Sequence, residues 1–95
     1  MRSIRSEVLV EGVSKLLTVA SQSPEMRPAH REEHSLVSDL RRELLAYEGK
    51  PTKVRVALIK RKIVSIRALL CAPREVRQLA DQAMKAIESS LHFVN

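Results

Sequence analysis

The longest apolar repeat in the chain lies between residues 50 and 77. Five aliphatic side chains recur there at steps of three or four residues: Val56, Ile59, Ile63, Ile66 and Leu70. This is the spacing of one face of an α-helix. The same stretch holds nine of the seventeen basic residues and one acid, Glu75. It therefore predicts a long helix that is both apolar and cationic, around which the rest of the chain must pack.

Length and turn residues favour an all-α fold. The 95 residues limit the chain to one domain. Two glycines and four prolines supply few turn signals, which favours a few long helices over many short strands. We predict three to four helices around a central antiparallel helical hairpin. We also expect a dimer, because a chain of this size buries a small core.

Helical periodicity and turn residues divide the chain into four helices and a linker. The predicted single domain, 1–95, contains a helix at 3–21, a linker at 22–29, and helices at 30–48, 51–71 and 73–91. The short connection around Gly49 and Pro51 predicts that the two helices it joins are antiparallel neighbours. At Pro73 either the helix at 51–71 stops and the next one starts, or one long helix kinks; we favour a break, because Ala72 precedes a proline and is pushed away from helical angles.

The predicted helix at 51–71 has two apolar faces. The repeat that begins at Val56 is assigned to the core or to a dimer interface. Three apolar side chains lie on nearly the opposite side of the helix: Val54, Leu58 and Leu69. Three cations, seven residues apart, form a basic line between the two faces: Lys53, Lys60 and Arg67. A helix of this kind is either central to a bundle or packs on its own domain with one face and on a partner with the other. We assign these six side chains to partner binding.

The first predicted helix offers a second candidate surface. Its apolar side chains follow helical spacing and include Leu9, Val13, Leu16 and Leu17. Pro24 and Pro28 in the linker separate this helix from the next one. We therefore expect it to be detachable and to contribute these four residues to partner binding.

The positive charge is unevenly placed. The formal net charge is +6; residues 50–77 carry nine bases and one acid, hence +8, and the remainder carries eight bases and ten acids, hence −2. This asymmetry indicates an acidic partner such as nucleic acid, membrane or protein. The alternative is a solvated helix face with salt bridges between helices. A membrane is disfavoured because the cationic helix has no Trp or Phe.

Nucleic-acid binding is the stronger of the non-protein alternatives. A helix, a short glycine-containing turn and a cationic helix resemble a helix-turn-helix. Four side chains would then contact phosphates or bases: Lys53, Arg55, Lys60 and Arg67. However, the second apolar face would contribute nothing to DNA binding, and only Tyr47 and Phe93 could stack on bases.

The residues from His30 to His34 fit the H-x-x-E-H pattern and so resemble inverted zinc metallopeptidases. The resemblance implies zinc bound by the two histidines, with Glu33 as the base. It covers five residues and supplies no third ligand, so the alternative is a set of solvated side chains at a helix start. We expect no enzyme, no metal and no cofactor. The single cysteine, Cys71, makes no intrachain disulfide, and we expect a cytoplasmic protein.

Binding to another protein accounts for more of these features than the alternatives do. In size, helical content and lack of catalytic residues the chain resembles small bacterial antiactivators, helical dimers that sequester transcription factors of quorum-sensing systems. We therefore expect a homodimeric regulator that binds another protein, such as a transcriptional regulator. DNA or RNA binding by the helix within residues 50–77 remains the alternative.

Overall fold

The chain forms four α-helices and one short 3₁₀ turn. The computed structural model describes the backbone of residues 2–27 and 35–91 and the side chains of residues 7–27 and 35–89. Its elements are α1 (Arg2–Gln22), the 3₁₀ turn (Pro24–Met26), α2 (Leu36–Gly49), α3 (Lys53–Arg67) and α4 (Arg74–Leu91). Neither described stretch contains a β-strand. The predicted all-α fold is therefore confirmed.

The 3₁₀ turn closes the end of α1 within the predicted linker. The Ser23 N–H still donates to the Val19 carbonyl at 2.9 Å, and Ser23 itself is extended. Pro24 then opens the turn, a position where its missing N–H costs no hydrogen bond. Met26, at the end of the turn, is fully buried. This part of the linker is thus packed against the core.

A serine cap fixes the start of α2. The Ser35 Oγ accepts from the Ser38 N–H at 3.1 Å and donates to the Ser38 Oγ at 2.9 Å. Ser35 is extended, so α2 begins at Leu36 and the predicted start at residue 30 is too early. Residues 28–34 lie outside the described part of the chain.

The helix α3 is shorter than predicted. The Thr52 Oγ1 caps it by accepting from the Arg55 N–H at 3.2 Å. The helix ends at Arg67 instead of residue 71, because the Leu69 N–H turns back to the Ile66 carbonyl at 3.1 Å. The chain then stays non-helical until α4 begins at Arg74. The break expected at the proline is confirmed.

The helices pack in a ring that encloses the core. The helix α1 packs on α4 and α2, and α3 packs on α2 and α4. The radius of gyration of the Cα atoms is 12.7 Å, close to the ~12 Å of a compact chain of this length. Each helix directs one stripe inward; α3 contributes Val56, Ile59, Ile63 and Ile66.

Leu70 does not belong to this core, although it continues the same repeat in the sequence. It is 98% exposed, because α3 ends three residues before it and the chain turns away. Its assignment to the core is therefore wrong for the single chain.

The contact between α1 and α4 is close at Gly12. A Cβ atom on Gly12 would lie 3.4 Å from the Ala86 Cβ and 3.6 Å from the Ala83 Cα. The small residues on both helices let the two backbones approach each other. The mid-helix glycine therefore lies at a close contact between α1 and α4.

Candidate functional site

The side of α3 that faces away from the core is partly apolar. At 100° per residue, the positions opposite the core stripe include Val54, Ala57, Arg61 and Val64, and all four side chains are exposed. Val54 is 70% and Val64 is 53% exposed. We call these four residues the outer face of α3. It is a mixed surface with two large aliphatic groups in water.

This surface differs in part from the predicted second apolar face. Val54 is exposed, whereas Leu58 is half-buried. Leu69 is also half-buried and packs against the core, because it lies in the turn after α3. The predicted face does not include Val64, although its position on the helical wheel places it on this side.

Ion pairs to neighbouring helices engage both flanks of α3. They join these partners, with N–O distances in parentheses: Arg55 and Glu43 (3.8 Å), Lys62 and Asp39 (3.7 Å), and Arg67 and Asp81 (2.6 Å). The first two connect α3 to α2 and the third connects α3 to α4. Much of the charge on α3 is therefore met by acids of the same chain, as the salt-bridge alternative predicts.

Three cations of α3 remain without an ion pair in the described part of the chain. They are Lys53, Lys60 and Arg61; the first and third are exposed and the second is half-buried. The predicted basic line is therefore divided: Arg67 binds Asp81, while its two other members carry charge with no acidic partner among residues 7–27 and 35–89. Arg61 adds to that charge.

An open groove lies between α3 and α4. It has a volume of about 430 Å³ and is lined by Lys60, Arg61, Val64, Ser65 and Met84. The Ser65 hydroxyl donates to the Arg61 carbonyl at 3.0 Å. The groove therefore combines apolar surface from Val64 and Met84 with two positive charges. We call it the α3–α4 groove.

The predicted partner-binding residues of α1 lie in the core. Leu9, Val13 and Leu16 are fully buried, and Leu17 is 7% exposed. They are covered because α1 packs on α4 and α2. In this fold they are inaccessible to a partner, so their predicted place on a binding surface is wrong.

The described residues offer no metal site. They contain no group of three or more His, Cys, Asp or Glu side chains that could hold a metal ion. The H-x-x-E-H residues lie outside the described part of the chain. Cys71 is a half-buried free thiol in the turn between α3 and α4. No helix of the described stretches is long and apolar enough to cross a membrane.

Comparison of the chain with protein-family models, with curated proteins and with solved structures found no match. The chemistry of its own surface is therefore the guide to its function. The outer face of α3 and the adjoining α3–α4 groove bring exposed apolar groups and unpaired cations together.

Proposed function

We propose that the protein is a non-enzymatic regulatory protein that acts by binding another protein through the outer face of α3. The observation that carries the proposal is the exposure of Val54 and Val64, 70% and 53%, on a helix whose opposite side already fills the core. An interface would bury these groups, and burial of apolar surface is the main favourable term in protein association. The neighbouring cations would guide the orientation and speed of association.

Sequestration of a transcriptional regulator is the form of regulation that we propose, as an antiactivator or adaptor in the cytoplasm. The exposed aliphatic groups support a partner that presents an apolar patch.

A helical hairpin would present this surface. We propose that α2 and α3 run antiparallel, with their ion pairs as support. Asp39, early in α2, pairs with Lys62, late in α3. Glu43, later in α2, pairs with Arg55, earlier in α3. This reversed order is that of an antiparallel pair.

We also propose that the protein is a homodimer. The support is Leu70, whose side chain is 98% exposed in the turn after α3. A leucine in this position would be covered in a dimer, which a small chain needs more than a large one. Light scattering should return twice the monomer mass, and a stable monomer at micromolar concentration would contradict the dimer alone.

Nucleic-acid binding is the second candidate, and the unpaired cations Lys53, Lys60 and Arg61 favour it. Duplex binding should then fall steeply with salt and should be lost when these three residues are replaced by Glu. Against it, the two valines of the outer face offer nothing to phosphates, and Arg67 is paired with Asp81.

The deciding experiment is affinity capture from the native host in the presence of nuclease. The wild-type chain is compared with a Val54→Asp, Val64→Asp double variant and with Leu45→Asp. Leu45 is a matched control, since it is 63% exposed on α2. We expect one protein partner to be captured by the wild type and the control but not by the double variant. Equal capture by all three forms would refute the proposal.

A further inference from the structure

The α3–α4 groove restricts the chemistry of the partner. Its apolar surface comes from Val64 and Met84 and its charge from Lys60 and Arg61. Acids on the adjacent helices already pair with other cations, for example Asp81 with Arg67. Among the described residues, no acid pairs with either groove cation. A bound segment would therefore meet two unneutralised positive charges beside an apolar surface.

A second copy of the chain is a poor occupant of this groove. A two-fold dimer places the same patch on both subunits. An axis passing near the middle of α3 would bring Arg61 close to Arg61 of the other copy, with Lys60 beside them. Juxtaposed like charges disfavour such a contact. An occupant with carboxylates would instead be attracted by the positive charges of Lys60 and Arg61.

The length of the apolar surface suits a helix. Val54 and Val64 are separated by about 15 Å along α3, because each residue advances an α-helix by about 1.5 Å. A partner helix of two to three turns spans the same distance, with apolar side chains at i, i+3 or i+4, and i+7. A small anion would use only the cations and would leave the valines exposed.

We propose that the α3–α4 groove binds an acidic amphipathic helix of the partner. The apolar stripe of that helix packs on Val64 and Met84 and continues toward Val54, and its flanking Asp or Glu side chains pair with Lys60 and Arg61. This inference rests on the proposed function and specifies the segment that the partner contributes.

A displayed library of amphipathic helices tests the proposal. The helices are about five turns long, and both their apolar stripe and their flanking positions are randomised. Selection on the full-length protein should enrich helices with Leu, Ile or Phe in the stripe and Asp or Glu at the flanks. Enrichment without acidic flanks, or no enrichment, would overturn the proposal.

Charge reversal then locates the binding site. The most enriched helix is synthesised, and its affinity is measured by fluorescence anisotropy. A Lys60→Glu, Arg61→Glu double variant should bind it about tenfold or more weakly, since two charge-paired contacts are lost. The control is Arg27→Glu with Lys85→Glu, which changes the net charge equally at two exposed residues outside the groove. Equal loss in both double variants would contradict binding in the groove.

The two proposals fail in different ways. If no acidic helix is enriched while partner capture still depends on Val54 and Val64, the groove inference fails and the proposed function survives. If duplex DNA binds, with affinity lost in the Lys60→Glu, Arg61→Glu variant, while no helix is enriched and capture does not depend on the two valines, both fail. Capture that is insensitive to the two valines removes the proposed function, whatever the library yields.

Discussion

The helices α1 and α3 differ in what they direct toward solvent. Both bury an apolar stripe in the same core. The outward side of α1 is mainly polar, although Val8 is 45% exposed there: Glu11 and Lys15 form an ion pair at 3.3 Å, and the Thr18 hydroxyl donates to the Ser14 carbonyl at 2.9 Å. The outward side of α3 instead exposes Val54 and Val64. The polar groups named on α1 are satisfied within their own helix, and Val8 is less exposed than either valine of the outer face of α3.

This difference shows which part of an amphipathic pattern carries information about binding. The regular apolar stripe on α1 predicts partner contacts, but it is buried in the core of the chain itself. In a ring of helices each member buries its most regular stripe between two neighbours. What remains on the outward side is not needed for folding. Apolar groups there, as on α3, therefore favour a function in binding.

The largest predicted difference is between core and outward positions of the two helices. Leu16→Ala in α1 should lower the free energy of unfolding by about 2–5 kcal/mol, because its side chain is fully buried. Val64→Ala on the outer face of α3 should change it by less than about 0.5 kcal/mol. Urea unfolding followed by circular dichroism measures both. Similar decreases in the free energy of unfolding for the two variants would mean that Val64 is buried and not exposed.

The close approach of α1 to α4 provides the next test. Gly12→Leu should destabilise the fold by about 1–3 kcal/mol, because a larger side chain overpacks the contact. Gly12→Ala should be tolerated, because its Cβ would lie 3.4 Å from the Ala86 Cβ and Ala favours a helix by about 1 kcal/mol over Gly. Thermal unfolding measures both effects.

Ala57→Leu on the outer face of α3 is the matched control for this substitution. Ala57 is exposed, so a leucine there extends into solvent and should leave the melting temperature nearly unchanged. If Ala57→Leu were as costly as Gly12→Leu, the contrast between the two helices would be lost.

Helical periodicity predicts most of the helices of this fold, and local hydrogen bonds explain why their ends differ from the prediction. The repeat from Val56 identifies α3, but it continues unbroken through Leu70 and so extends the predicted helix beyond Arg67. The sequence does not mark the cap at Ser35 as a capping box, because the third residue after it is Ser38 and not Glu or Gln. Prediction of the helices was therefore more successful than prediction of their ends.

The candidate site was harder to predict, because it depends on which helices become neighbours. Val54 was identified from its place opposite the core stripe. The ion pair between Arg67 and Asp81 joins two helices and depends on how they pack. The seven-residue spacing of the cations carries no information about that packing, so it places Arg67 in the basic line. The burial of Leu9 has the same cause. Helical periodicity identifies its apolar stripe, but it does not identify the helices that cover the stripe.

The start of α3 offers a smaller effect that separates the two helices further. Thr52→Ala removes the acceptor of the Arg55 N–H bond and should cost about 1 kcal/mol. The loss should be local, with faster hydrogen exchange in the first turns of α3 and little change in the middle of α1. Thr52→Ser keeps the hydroxyl and is the control. Faster exchange in both helices would indicate that the start of α3 does not open separately and that the two helices unfold as one cooperative unit.

The smallest predicted effect concerns the ion pairs of the two helices. The Arg67 Nε donates to the Asp81 Oδ1 at 2.6 Å, and the side chains are 52% and 50% exposed. Such an exposed pair contributes about 0.2–1 kcal/mol, whereas the pair between Lys15 and Glu11 within α1 should contribute about 0.3–0.5 kcal/mol. Double-mutant cycles with Arg67→Gln and Asp81→Asn, and with Lys15→Gln and Glu11→Gln, measure both couplings.

Salt and partner binding then distinguish the roles of the two pairs. Both couplings should weaken as ionic strength rises, since the side chains are exposed to solvent. Asp81→Asn should also release Arg67 beside the α3–α4 groove and so strengthen binding of an acidic helix, while Glu11→Gln should leave that binding unchanged. If neither substitution affected binding, the charge on α3 would act only within the fold, and the greater exposure of its two valines would be left to distinguish α3 from α1.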